Sequence, residues 1–430
     1  MVEKKLAWYE ATIIKDMMGL MGGRALRGGM STYISSKIYQ GKASLLRVAH
    51  LLEATIDKED RRALIITDSF TQKFAKYITE YLDLIEMEYK IWSGVEPEVP
   101  IPTIYEGVKI CEEFKPQVLI AIGGGSVMDT TKMVMVKYEK PEVNLFMILP
   151  YFGCVGLRKK FKYFVAIPTT SGTGSEVTQV AVITDTDRDP PKKLEVLSDE
   201  LCADITILFT DFVKDLPPFL TMATGLDAFS HALGSFVSNW GSPYVDSMNS
   251  TAIKEILKYL PRAYKYGAKD IEAREHMQMA SLMAGIGFGN TTPGIDHSLG
   301  HSFGKIFNVH HGLSVGLFTV YSLAFQAKVT DRWKLLLPLF NIQEDNKSRK
   351  ELFTEFLQVI KDFIVSLDGP ICVKDMKNPV IAQEEYFDKL DLLTNYAADD
   401  AVALTSFRTM SEKLFRTIFE YAWDGQDIDF

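Results

Sequence analysis

Cysteine is scarce in this chain, and its four copies (Cys111, Cys154, Cys202, Cys372) lie far apart with no CxxC pair. That excludes a zinc–thiolate knuckle or a thioredoxin-like motif and reads as reduced thiols in a cytoplasmic protein. Positive charge is short too. A formal net charge of −9 excludes the basic surface that a nucleic-acid partner needs, and the "RKK" run at Arg158–Lys160 is a solvated patch. Long apolar runs are missing. The longest uncharged one, "GLSVGLFTVYSLAF" (Gly312–Phe325), is too short to span a bilayer comfortably and suits a buried helix. The first residues carry Glu3, Glu10 and Asp16 and lack a signal-peptide core, so a soluble, cytoplasmic chain with no membrane partner is expected. No GxGxxG fingerprint occurs.

What remains is an ordinary globular composition, 47% hydrophobic and 24% charged over 430 residues, which calls for more than one core. From about Leu45 helical and strand-like runs alternate: "SLLRVAHLLEA", "ALIITDS", "FAKYITEYLDLI", "MEYKIWSG", "IYEGVKICEEF", "QVLIAIGGGS" and "YFVAIPTTSGTGSE". This alternation predicts an α/β domain with a largely parallel sheet over residues 1–216, of which 1–30 form an extra N-terminal segment. The prolines of "EPEVPIP" are expected to exclude regular structure there. Beyond about Pro217 apolar residues recur every three or four positions, which predicts an all-helical domain over 217–430.

Two strand ends run into small residues. "IAIGGGSVMDTTK" places Gly123, Gly124, Gly125 and Ser126 between a strand and a helix, where bare backbone and helix N–H groups can meet a phosphate. "AIPTTSGTGSE" offers the hydroxyls of Thr169, Thr170, Thr173 and Ser175 in the same setting. Each alone could be a plain turn; two in one parallel sheet point to a ligand crevice. Asp68, at the end of "ALIITD", could accept from an adenosine ribose hydroxyl, and it could equally be a turn former.

Histidine is rare, yet four of the seven copies (His297, His301, His310, His311) fall within fifteen positions. His297 and His301 are four apart, as are Asp227 and His231 in "GLDAFSHALG", so each pair shares a helix face. A carboxylate with imidazoles suits Fe²⁺ or Zn²⁺. Of the neighbours His310 and His311, whose side chains diverge, spacing does not choose. His50 and His276 read as structural or solvated.

With these residues in place the chain resembles the iron-containing (group III) alcohol dehydrogenase family from roughly Tyr39 to Trp423. Four patches in order carry the resemblance: "GGGSVMDTTK", "PTTSGTGSEVT", "TGLDAFSHALGSFVS" and "GIDHSLGHSFGKIFNVHHG". It implies an N-terminal dinucleotide-binding domain, a helical metal-binding domain and a cleft between them. It also implies a metal site of Asp227, His231, His297 and His311, the last because it precedes Gly312, with His301 in the proton path. Asp129 joins the glycine-loop residues as cofactor-binding, and Asp68 takes the acidic position associated with NAD in preference to NADP. The implied activity is metal-dependent hydride transfer between a small alcohol or aldehyde and nicotinamide, with Fe²⁺ (alternatively Zn²⁺), in a homo-oligomer of at least two copies. The alternatives are a polyol dehydrogenase of the glycerol type, another superfamily member, or a metal-dependent hydrolase if no nicotinamide binds. The chain departs from the family pattern where Gly234 replaces a frequent Glu and where Asp296 directly precedes His297.

Overall fold

The computed structural model describes residues 36–145, 154, 156–189, 191–400, 402–403 and 406–430, so the N-terminal segment 1–30 lies outside the described residues. The first half alternates strand and helix. β1 (Lys37–Gln40), α1 (Ser44–Thr55), β2 (Arg62–Thr67), α2 (Ala75–Leu84), β3 (Glu88–Trp92), α3 (Ile101–Phe114), β4 (Val118–Gly123), α4 (Gly125–Glu139) and β5 (Tyr163–Pro168) follow one another. An antiparallel hairpin, β6 (Val180–Asp185) and β7 (Lys192–Leu197), precedes β8 (Ile205–Leu208). The six other strands form one parallel sheet in the order β1-β8-β5-β4-β2-β3.

The central strands read as unbroken apolar runs because both faces of the sheet are covered. Leu64, Ile66, Leu119 and Ala121 pack with Ile104 of α3 and Met133 of α4. Their neighbours Ala63, Ile65, Ile120 and Ile122 turn to the other face, against Leu45 and Leu52 of α1 and Ile78 of α2. The chain leaves β2 for β3 on one side and returns to β4 on the other. The switch point therefore lies between the carboxyl ends of β2 and β4, where Asp68 and Gly123 sit.

The second half is helical: α5 (Pro218–Phe236), α6 (Pro243–Tyr266), α7 (Ile271–Gly289), α8 (Ile295–Phe307), α9 (His311–Ala327), α10 (Arg349–Ser366), α11 (Gln383–Asp388), α12 (Leu390–Ala398) and α13 (Glu412–Asp424). One core runs through it, with Phe229, Leu233, Ile256, Leu299, Phe303, Phe318 and Phe356 among its members. The run "GLSVGLFTVYSLAF" lies wholly within the buried α9, and no helix among the described residues is long and apolar enough to cross a membrane.

The structure departs from the sequence expectation in two places. The short strands β1 and β8 and the hairpin β6–β7 were not separable from loops by pattern, since their pairing is long-range. Pro102, expected in irregular chain, sits in the first turn of α3, where its missing N–H costs nothing. The largely parallel sheet is as expected: its six strands pair only in parallel, with the antiparallel pairing confined to the hairpin. All four cysteines are free and buried, and burial pushes the thiols of Cys111 and Cys154 up to about 12.

Candidate metal centre and dinucleotide cleft

Three helices bring one carboxylate and three imidazoles to a point. Asp227 and His231 share the inner face of α5, His297 comes from the first turn of α8, and His311 is the first residue of α9. The Nε2 atoms of His311, His231 and His297 lie 3.3, 3.7 and 3.8 Å from Asp227 Oδ1. These separations are long for hydrogen bonds. They match the spacing of ligand atoms around one cation, since bonds of about 2.1 Å in a tetrahedral shell place ligands roughly 3.4 Å apart. Asp227 Oδ1 and His297 Nε2 are buried without a hydrogen-bond partner among the described residues. Orphaned atoms of this kind cost about 1–3 kcal/mol each unless something binds them. The donor set and its spacing thus fit a divalent Fe or Zn ion.

Charge supports the same reading. Burial would raise the Asp227 carboxyl, but the imidazoles, His231 foremost, hold it well below the usual carboxylate range. Burial pushes His231 down to about 3 and His311 down to about 4, so both are neutral, as ligation requires. Burial acts on His297 in the same sense, but Asp227 and Asp296 on either side outweigh it and raise the ring to about 9. Loading a cation therefore displaces a proton from His297.

The approach of α9 to α5 depends on Gly312. A Cβ there would lie 2.1 Å from the Ala223 carbonyl oxygen and 3.0 Å from Asp227 Cβ. Only a bare backbone lets His311 reach Asp227. Its neighbour His310 turns away and meets the Phe219 ring edge-on at 5.7 Å, so of the two histidines it is His311 that stands beside Asp227. His50 is exposed, and His276 stacks on Tyr259 at 3.8 Å.

The two small-residue loops leave adjacent strands, β4 and β5, and touch. A Cβ on Gly124 or Gly125 would meet Thr170 at 3.3 Å or Thr173 at 3.0 Å. No side chain caps the N-terminus of α4 behind Gly124. Asp129 and Ser175 are placed differently from the other predicted cofactor residues. Asp129 accepts from Ser175 Oγ at 2.6 Å and from the Val182 amide at 2.9 Å, while Ser175 also accepts from Lys132 at 2.9 Å. Both brace the loops from within. Asp68 is indeed a turn former, its Oδ1 accepting from the Phe70 and Thr71 amides at 2.8 Å each. It also stands at the switch point beside the glycine loop, because Thr67 and Thr71 both donate to the Ile122 carbonyl.

His301 lies one turn beyond His297, its ring 5.1 Å from that of His311. Its Nδ1 donates to Asp400 Oδ2 at 2.8 Å. Pattern reading missed Asp400, for it sits in an irregular stretch 99 residues from its partner. Missed as well was Lys193 on β7, whose charge acts on Glu98, Asp129, Glu195, His301 and His311. One lysine of the "KK" pair in a polar hairpin carries no signal of such a position.

Comparison with known proteins decides the family. Residues 35–210 match the family model of iron-containing alcohol dehydrogenases, and residues 221–423 match that family's C-terminal model. The chain belongs to the iron-containing alcohol dehydrogenase family. It is similar to the NADPH-dependent butanol dehydrogenase of Clostridium saccharobutylicum, 30% identical over 91% of this chain and 98% of that enzyme. It is 35% identical to the bifunctional aldehyde-alcohol dehydrogenase of Escherichia coli over 64% of this chain, spanning only 32% of that enzyme. Among solved structures, the iron-containing alcohol dehydrogenase of Thermococcus thioreducens superposes with a TM-score of 0.80 at 26% identity, over 92% of this chain and all of that one. The protein is thus an NAD(P)-linked oxidoreductase acting on CH–OH groups, of a class that uses iron; the hydrolase alternative is not favoured.

Within this alcohol dehydrogenase the departures from the family pattern have a physical account. A side chain at position 234 would collide with the Gly294 amide, 2.5 Å from its Cβ, so the frequent Glu has no room. Asp296 brings a carboxylate into that space from α8, its Oδ2 3.4 Å from the same point. Its Oδ1 accepts from His297 Nδ1 at 3.0 Å, which orients the ligand ring.

One buried acid sets a stability prediction. Glu176, 3% exposed beneath the second loop, has its carboxyl pushed up to about 7 by burial, against the pull of Lys132. The native chain then keeps a proton that the unfolded chain, near 4.5, releases. The contribution is full below the unfolded value and is lost as pH rises through about 7. Glu176→Gln is therefore expected to gain about 2–3 kcal/mol over wild type at alkaline pH and little at acidic pH. Thermal melts across pH check it, and a pH-independent difference would refute it.

Proposed function

We propose that this enzyme moves hydride between a small alcohol or aldehyde and NAD, with Fe²⁺ held by Asp227, His231, His297 and His311 and with His301 in the proton path. The observation that carries the reading is the convergence of three Nε2 atoms within 3.8 Å of one carboxylate oxygen. Held there, a divalent cation would supply Lewis acidity to the substrate hydroxyl, and a bound nicotinamide would supply the hydride acceptor. The chain's own part is placement. Gly123, Gly124, Gly125 and Ser126, with the N-terminus of α4, receive the diphosphate, and Thr169, Thr170 and Thr173 line its other side. Asp129 and Ser175 keep the loops in register. His301 donates through Nδ1, which leaves Nε2 to accept the hydroxyl proton. A cytoplasmic enzyme of at least two copies completes the reading, and sedimentation tests the copy number.

The direct test is metal analysis of the purified chain together with an NADH- and NADPH-linked screen of short alcohols and aldehydes. Failure to bind either nucleotide in a fluorescence titration would end the proposal. The preference for NAD is supported by Asp68, although the Clostridium saccharobutylicum relative is named for NADPH. Asp68 Oδ2 takes no hydrogen bond within the described residues and would face a ribose 2′-phosphate with like charge. Asp68→Asn keeps the turn and removes the charge. It is expected to shift the NADPH/NADH ratio of kcat/KM by about tenfold or more toward NADPH, since like charges in contact cost several kcal/mol. An unchanged ratio would remove Asp68 from this role.

A further inference from the structure

His301 has a second acid beside it. Glu195 Oε1 lies 3.8 Å from the same Nδ1 that donates to Asp400, and the ligand atoms of the three residues all lie within 4.8 Å of one another. Asp400 is held as an acceptor on both oxygens: besides His301, the Val402 amide donates to Oδ1 at 2.9 Å and Ser298 Oγ at 3.3 Å. Glu195 arrives from the other domain. Leu194 and Val196 of β7 pack on the sheet-side core, and strand alternation sends Lys193 and Glu195 the opposite way, toward α8.

Two carboxyls so close and so buried cannot both be ionised. Burial lifts Glu195 well above the usual carboxylate range, and the Asp400 charge adds to it. On Asp400 burial is outweighed by His301, and that carboxyl stays low. The charged surroundings are mixed. Lys193 faces the pair from β7, His297 and Lys305 from α8, and Tyr396 and Asp399 from α12 and the residue after it. Lys192 is occupied by Asp399 at 2.9 Å and Lys305 by Glu98 at 2.5 Å. Glu195 and Asp400 thus line a small cavity that leads from His301 between these groups.

We propose that Glu195 and Asp400 share one proton and form the station through which the alcohol proton passes from His301 to solvent, with Glu195 the member that discharges it. This rests on the proton-path role of His301 given above. In oxidation the C–H hydrogen leaves with its electron pair to the nicotinamide, and the O–H proton goes to His301 Nε2. The Nδ1–H bond then breaks toward Asp400 Oδ2, Glu195 gives its proton to water, and the proton on Asp400 becomes the shared one. The proton left on His301 then sits on Nε2, and exchange through solvent that returns it to Nδ1 resets the relay; one proton reaches solvent for each alcohol oxidised, and aldehyde reduction runs the path backward.

The test uses the iron-loaded full chain and the variants Glu195→Gln, Glu195→Asp, Asp400→Asn and His301→Ala, with iron content, kcat and KM followed across pH. Glu195→Gln is expected to keep its iron and its alcohol KM and to lose about tenfold or more in kcat, within the range of general acid–base effects. One ionisation should vanish from its kcat profile, and Glu195→Asp should restore part of the rate. Asp400→Asn should slow kcat at least as much without loss of iron. Wild-type kcat and pH profile in Glu195→Gln, or loss of iron from it, would overturn the proposal. Slow turnover in His301→Ala beside a normal Glu195→Gln sinks the relay alone, whereas full turnover in His301→Ala removes the reading beneath it.

Discussion

Iron-free, inactive protein is the expected product of His297→Ala or His311→Ala. Each substitution removes one of the three imidazole donors that close on Asp227 Oδ1 and leaves the carboxylate with less than it needs to hold a cation. Because outer partners of a metal site already alter affinity by about 10–100-fold, loss of a ligand should exceed 100-fold. A cation that supplies several kcal/mol to the transition state takes about three orders of magnitude of turnover with it. His310→Ala and His276→Ala are the controls. His310 faces Phe219 and His276 lies on Tyr259 and Glu255, so both variants should carry wild-type iron. Elemental analysis of the purified variants decides the matter, and a full iron complement in His311→Ala would exclude this assignment of the site.

Gly312→Ala should reach a similar end by a different route. The added methyl group would meet the Ala223 carbonyl oxygen at 2.1 Å and its carbon at 2.8 Å. Both belong to the backbone of a buried helix, which cannot turn aside as a side chain can, so α9 must move off α5. Overpacking of this kind costs about 1–3 kcal/mol and occasionally more. For a domain of this size it should lower Tm by roughly 2–4 °C per kcal/mol. The displacement falls on His311, the residue next in chain, and weakens its reach to Asp227. Iron affinity should therefore drop although no ligand was changed. A Gly312→Ala enzyme with unaltered melting and unaltered iron binding would show that the close approach of α9 is not what sets the ligand geometry.

Much of this was open to inspection in the residue order because helix and strand periodicity are local. The runs of β2, β4 and β5 announce buried strands, and the i, i+4 pairs Asp227/His231 and His297/His301 announce helix faces. The hairpin β6–β7 escaped notice for the opposite reason: its lysine-rich second strand has only one fully buried apolar residue, Val196. Asp129 and Ser175 show that a motif gives residue types but not their partners. They stand in the loops that line the cleft, yet their polar atoms are spent on each other, Lys132 and the Val182 amide.

The residue order alone determined the parallel sheet, the helical half, the phosphate-type loops and the kinds of donor available for a cation, since each follows from spacing along a few turns or one strand. Only the tertiary structure turned His310 to Phe219 and His311 to Asp227, put the Asp296 carboxylate beside Gly234, and set Glu195 and Asp400 behind His301. These are contacts between segments far apart in the chain. They are fixed by how closely α5, α8, α9 and β7 pack, through the bare backbone at Gly312 and the collision at Gly234, which no periodicity records.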